Sequence, residues 1–284
     1  MRCLIGFFGL TRSLRHTAAS ISAAFYAPLR HAGIPVLSAG HFNLPARITN
    51  ARSNEAGVVP DRTEAGLLPL DLCWIEPQDD AAIAEDLAIA GAFPDPFADN
   101  YASVANLCHQ LRSLDQLWRL LTLFAPAEDD LVLLLRPDLF YLDPLKPGRD
   151  LDPLLAGAAD LIVPGWQSWG GLNDRFAFAT ARAAEAYATR RRGFVDACLA
   201  MQGIHSEGFL RFVADQAGLR VGRTALRAVR VRATGEVPAN DLGMLQVMSR
   251  FGQQGPAALN DAQLDEAIRL AFPNCQAALA PEAG

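Results

Sequence analysis

The sequence predicts an α/β fold around a mostly parallel central sheet, and three observations carry that expectation. Leu131, Val132, Leu133, Leu134 and Leu135 are apolar without alternation, the pattern of a strand covered on both faces. Residues 2–8 form another apolar run, followed by a turn at Gly9-Leu10-Thr11-Arg12-Ser13 and helix-spaced apolar positions from Leu14 to about Leu29. Residues 101–124 place Val104, Leu107, Leu111, Leu114, Leu117, Trp118 and Leu121 on one stripe, the face a helix lays against a sheet.

The remaining elements follow in order. Residues 34–39 read as a strand closing the first β-α-β unit, and 40–70, rich in Asn, Arg, Gly and Pro, as a long loop. A short strand at 72–75 and a helix near 79–90 precede a break at 91–97. After the central strand come a helical turn at 154–158, a buried strand at 161–164 and a helix over 181–192. Another helix runs from 206 to about 217 with Ser206 as its N-cap, and short strands follow at 219–221 and 226–231. The chain is read as one domain over 1–235, followed by a C-terminal appendage over 236–284 with a weak helix near 261–272 and an Ala/Pro tail.

Composition narrows the function. The chain has 284 residues, 51% of them hydrophobic, and a net charge of -6, which suits a large core and argues against nucleic acid as the main partner. Five cysteines without a Cys-x-x-Cys pair suggest neither a disulfide framework nor a zinc site, and a reducing cytoplasm is the expected setting. No run approaches the ~18 apolar residues of a membrane span. Contact with a membrane is then expected only from outside, as a peripheral protein.

Several residues stand where chemistry is expected. Ligands of open α/β sheets bind beyond the carboxyl ends of the strands, and Arg136, Pro137 and Asp138 follow the central strand directly. The Gly9 turn opens a helix whose N–H groups would face an anion, with Arg12 and Arg15 beside it; its ordinary alternative is a β-α turn with solvated arginines. Trp166 and Trp169, flanked by Gly165, Gly170 and Gly171, suit a binding loop, and Asn173 and Asp174 follow at once. Asp174 has an alternative as a helix cap, and Glu207 one as a first-turn acid complementing the helix dipole.

In this order the segments resemble glycosyltransferase-like proteins of capsular and cell-surface polysaccharide synthesis, related to the nucleotide-diphospho-sugar transferase (GT-A) fold. The resemblance rests on Gly9-Leu10-Thr11-Arg12, on Leu135-Arg136-Pro137-Asp138, on the run from Gly170 to Phe176, and on Ser206-Glu207 with Leu210. It implies a three-layer α/β/α sandwich and a UDP- or GDP-sugar donor over the first β-α-β half. Gly9, Thr11, Arg12, Arg15, Arg136, Asp138, Trp166, Trp169 and Asn173 would bind the donor and line the cleft. A divalent Mn²⁺ or Mg²⁺ would sit on Asp138, although the family's Asp-x-Asp signature is reduced here to that one acid. The acceptor would be a glycan or a lipid-linked sugar, and Asp174 or Glu207 would take the acceptor's proton. The alternative is a non-catalytic glycan- or nucleotide-binding protein of the same fold. A nucleotidyltransferase would want a lysine in its glycine-rich start, whereas the only lysine is Lys146.

Overall fold

The structure is a computed structural model that describes residues 1–50 and 55–243. The helix expected near 261–272 and the tail lie outside the described residues. The strands are β1 (Cys3–Gly9), β2 (Val36–Leu44), β3 (Ile48–Asn50), β4 (Glu55–Val58), β5 (Leu72–Pro77), β6 (Leu131–Leu135), β7 (Leu139–Tyr141), β8 (Leu161–Pro164), β9 (Phe176–Thr180), β10 (Val221–Thr224) and β11 (Ala228–Arg230). The α-helices are α1 (Leu14–Ile21), α2 (Ala27–His31), α3 (Ala84–Ala90), α4 (Ala102–Thr122), α5 (Pro147–Asp150), α6 (Asp152–Leu155), α7 (Ala181–Ala188), α8 (Phe194–Met201) and α9 (Ser206–Gln216).

Seven strands form the central sheet in the order β10-β8-β9-β6-β1-β2-β5. Every residue of β6 is buried, as its unbroken apolar run requires. It pairs in parallel with β1, Cys3 opposite Leu131 and Phe7 opposite Leu135. β1 pairs in parallel with β2, β2 with β5, and β10 with β8. Only β9 is reversed within this sheet, antiparallel to β6 and β8.

The pleat of β1 divides the core into two layers. Cys3, Ile5 and Phe7 face Leu14, Ile21, Phe25 and Leu29 of the N-terminal helical stretch. Leu4 and Phe8 face Leu114, Leu117, Trp118 and Leu121 of α4, with Ala183, Ala184 and Tyr187 of α7 beside them. The result is a three-layer α/β/α sandwich. A separate cluster joins Ile83, Leu107, Leu111, Phe194 and Phe209, and so ties α8 and α9 to the first half of α4.

Two departures from the sequence reading have physical causes. The helix expected over 14–29 is broken by a π turn at Ser22–Tyr26. Pro28 has no N–H for the carbonyl of Ala24, and that oxygen accepts instead from the Leu145 N–H at 2.9 Å. β2, in turn, continues to Leu44 through residues that read as loop. His41 and Asn43 are buried and bonded to α4: His41 Nδ1 lies 3.0 Å from Ser113 Oγ, and Asn43 Nδ2 donates to the His109 carbonyl at 3.0 Å.

The loop after β8 is pressed onto the start of α9. The Leu172 N–H donates to the Glu207 carbonyl at 2.9 Å, and a Cβ on Gly171 would overlap that same backbone. This close approach fixes where α9 begins. Gly171→Ala should therefore destabilise the fold by about 1–3 kcal/mol in urea unfolding. Gly148→Ala, where a Cβ would meet open space, should be close to neutral.

Candidate active site

The carboxyl ends of β1, β2 and β6 open on a cavity of about 590 Å³. Phe8 and Gly9, Asn43, and Arg136 with Asp138 reach it from those three strands. Because β9 is reversed, its start lies at the same edge, which brings Asp174 and Arg175 to the wall. Glu207 from the start of α9, Arg230 from β11, and Arg232 complete it.

Asp138 is 3% exposed, and both of its oxygens are taken. Arg136 donates to Oδ1 through Nε at 2.9 Å and to Oδ2 through Nη2 at 2.7 Å, while Arg12 Nη2 donates to Oδ2 at 2.8 Å. Burial opposes the charge, but Arg136 and Arg12 together hold this carboxyl far below the usual carboxylate range. Arg12 is aimed by its turn: Gly9 sits at φ +103, and its N–H is fixed by Ser113 Oγ at 2.9 Å. Thr17 Oγ1 donates to the Pro137 carbonyl at 2.6 Å, locking α1 to the loop that carries Asp138.

The helix start expected to face an anion already has one. Glu64, buried in the 40–70 segment, accepts the Leu14 N–H at 3.0 Å. It also lies 3.4 Å from Arg15 Nε. Arg15 is half exposed and bonds the Ala233 carbonyl, away from the cavity wall. The buried Thr11 accepts the Leu14 N–H through its carbonyl and is a turn residue.

The two candidate bases are set apart by their surroundings. Asp174 is buried and receives Gln110 Nε2 at 2.7 Å and Ser206 Oγ at 2.5 Å, with Arg190 Nη2 at 3.5 Å. Burial alone would raise its pKa, but Arg190, Ser206, Arg136 and Gln110 lower it. Glu207 is half-buried; its carboxylate is met by a backbone N–H and lies 3.2 Å from His205 Nδ1. Desolvation first, and then the charge of Asp174, push Glu207 up to about 7. Two carboxyls with pKa values driven apart are the arrangement that separates a fixed charge from a proton carrier. Ser206, expected as the N-cap, leaves that position to His205, because its hydroxyl is committed to Asp174.

The tryptophan loop divides. Trp169 stands on the rim, 65% exposed with φ +43. The wall is formed without Trp166, which is buried. Its Nε1 donates to the Leu226 carbonyl at 3.0 Å, and its ring lies under Arg175 at 5.0 Å. Asn173 is buried and internally bonded: Nδ2 donates to the Trp166 carbonyl, and Oδ1 accepts from the Arg175 N–H. It shapes the loop that presents Arg175.

The sequence reading gave no role to Glu55, Arg175 or Asp241, and only an alternation to Arg230 and Arg232. Arg230 donates to both oxygens of Asp241, and Arg175 lies 3.4 Å from the same carboxylate. Asp241 is fully buried, and Pro238 and Asn240 line the cavity, so these three residues belong with the site. Arg227 points elsewhere and pairs with Asp143.

The donor set does not fit a divalent cation on Asp138. Mg²⁺ and Mn²⁺ want free oxygen ligands, and both Asp138 oxygens are hydrogen-bonded to guanidinium groups. Among the described residues, no group of three His, Cys, Asp or Glu side chains is placed to hold a metal.

No protein-family model and no curated protein matches this sequence. The structure is similar to mouse xyloside xylosyltransferase 1 in its apo form, at 13% identity and a TM-score of 0.37, over 78% of this chain and 84% of that one. It is similar to galactosyltransferase LgtC in complex with donor and acceptor sugar analogs, at 14% identity and 0.36, over 78% and 73%. A putative glucose-1-phosphate thymidylyltransferase from Bacillus anthracis, in complex with a sucrose, aligns at 8% identity and 0.37 over 96% of each chain. At that level of likeness the activity rests on the site itself.

Asp138→Asn would leave two arginines around a neutral group, and breaking a buried pair in this way costs about 3–5 kcal/mol. A carboxyl whose pKa is depressed by folding stabilises fully above its unfolded value, about 4, and loses that contribution as pH falls. Wild-type unfolding free energy should therefore drop steeply on acidification below about pH 4. The Asp138→Asn protein should start lower at neutral pH and fall less, as read by urea unfolding across pH.

Proposed function

We propose that this protein is a glycosyltransferase that moves a sugar from a UDP- or GDP-linked donor to a hydroxyl of a glycan or lipid-linked acceptor in building cell-surface polysaccharide. One observation carries the reading: a single cavity at the strand ends combines a wall of arginines with a carboxyl, Glu207, titrating near neutrality. Breaking the sugar–phosphate bond leaves negative charge on the diphosphate, and fixed cations stabilise it. The attacking hydroxyl must lose a proton as its oxygen bonds the sugar carbon. Glu207 is the proposed base, because a carboxyl near pKa 7 is ionised in part at neutral pH and still basic enough to hold the proton.

Asp174 acts in this scheme as a fixed negative charge that raises the basicity of Glu207. Gln110, which donates to Asp174 and accepts from Arg136 at 3.2 Å, links the acid pair to the arginine wall. Trp169 on the rim offers a ring face to the acceptor. We place the activity in the cytoplasm, at the inner face of the membrane when the acceptor is lipid-linked; no helix among the described residues is long and apolar enough to cross a membrane.

Turnover of a panel of nucleotide sugars by the purified chain tests the reading. The rate should rise with pH through an apparent pKa near 7, since the base works deprotonated. Glu207→Gln should lower the rate by about 10²–10⁴ and flatten that rise without loss of the fold. A wild-type rate in Glu207→Gln would remove Glu207 from the reaction. A protein that binds nucleotide but turns over no donor would leave the non-catalytic alternative standing.

A further inference from the structure

Arg12, Arg136, Arg175, Arg230 and Arg232 all reach the cavity wall. These five guanidinium groups share three carboxylates. Asp138 serves Arg12 and Arg136; Glu55 lies 3.2 Å from Arg12 and 3.9 Å from Arg232; Asp241 serves Arg175 and Arg230. Two positive charges are left over, and among the described residues of the wall only Glu207 stands against them across the cavity, since Asp174 is matched by Arg190. Burial first, then the crowding of Arg12 and Arg230, lowers Arg232 to about 10. Arg175 also falls to about 10, through burial and the nearby Arg230 and Arg136, against the pull of Asp241. Arg12, Arg175 and Arg232, each at least nine-tenths buried, also keep an N–H without a partner: Nε, Nη1 and Nε respectively.

A chain would not gather unneutralised, incompletely bonded cations for stability, because burying charge without a counterion is costly. Arg136 is consumed by Asp138 and Gln110, and Arg12 is divided between Asp138 and Glu55. The surplus therefore sits toward Arg232, which has only the distant Glu55, and toward Arg175 and Arg230, which share the one carboxylate of Asp241. We propose that these three arginines bind the diphosphate of the donor directly, with no divalent cation between protein and phosphate. Guanidinium groups match phosphate oxygens in pairs, and a dianionic group supplies the counterion that the wall lacks. A cation on Asp138 would instead have to displace Arg12 and Arg136 and add charge to an existing excess. The inference rests on the sugar-transfer reading only for the molecule that carries the phosphates.

Calorimetric titration of the full chain with inorganic pyrophosphate, UDP and GDP, in EDTA and with added Mn²⁺, tests it. Pyrophosphate should bind in EDTA, weaken with added salt, and change by less than about threefold with Mn²⁺, a difference under 1 kcal/mol on the affinity scale. Arg232→Gln should weaken it about tenfold or more, with Arg232→Lys between it and wild type. Arg211→Gln, half-exposed on α9, outside the cavity wall and paired with Asp215, should bind as wild type. The ligand-free melting temperature of Arg232→Gln should equal or exceed that of wild type, because the charge removed had no full counterion; a purely structural arginine would lower it. Binding that requires Mn²⁺, wild-type affinity in Arg232→Gln, or loss of its fold would each overturn the assignment. Pyrophosphate binding in EDTA with no binding or turnover of any nucleotide would keep the anion site and sink the sugar-transfer reading.

Discussion

The carboxylate of Asp138 between Arg12 and Arg136 is the contact on which the site depends. It joins the turn after β1 to the end of β6, the two strands at the centre of the sheet. Arg12 reaches on to Glu55, whose other oxygen accepts the Ala233 N–H at 3.0 Å. Two buried acids, Asp138 and Glu55, bridged by Arg12, thus gather four segments distant in sequence: 9–13, the β4 strand, 136–138 and the chain after β11. Buried ion pairs are weak contributors to net stability but expensive to break. Their value here is register, because they fix where every other side chain at the sheet edge can stand.

The same constraint decides the division of labour among the acids. With Asp138 neutralised and Asp174 ionised by Arg190, Gln110 and Ser206, neither is free to take up a proton near neutral pH. Glu207 is desolvated without a paired guanidinium and feels the charge of Asp174, so it alone of the three is pushed up to about 7. Its position depends on Gly171, which lets the loop lie against the backbone of α9. A glycine contact therefore sets the position of a side chain whose chemistry depends on two other acids being occupied.

Much of the frame was legible in the sequence. The unbroken apolar run of 131–135 gave the central strand because a doubly covered strand leaves no other pattern, and Asp138 stood out where that strand stops. Arg12 was legible for the same reason at the end of β1. Local reasoning failed where a residue's role was set by a distant partner. Trp166 read as a binding residue from its glycine-rich surroundings, but its indole N–H found the Leu226 carbonyl and its ring the Arg175 guanidinium. The Gly9 turn read as open to an anion, yet the anion is Glu64, from a segment with no periodicity to place it. His41 and Asn43 read as loop because their partners lie on α4.

The arginines show why such roles escape a linear reading. Arg227, Arg230 and Arg232 are close in sequence and alike in type, yet Arg227 is consumed by Asp143 while Arg230 and Arg232 reach the cavity. What separates them is the supply of counterions, a property of the assembled fold. Arg175 joins them from across the sheet only because β9 is reversed, which puts its start beside the ends of the parallel strands. A single reversed strand thus brings both an acid, Asp174, and a cation, Arg175, to an edge that the parallel strands furnish mainly with Arg136 and Asp138. The cavity's surplus of positive charge follows from that topology together with the sharing of Asp138, and it makes the site complementary to an anion before any ligand arrives.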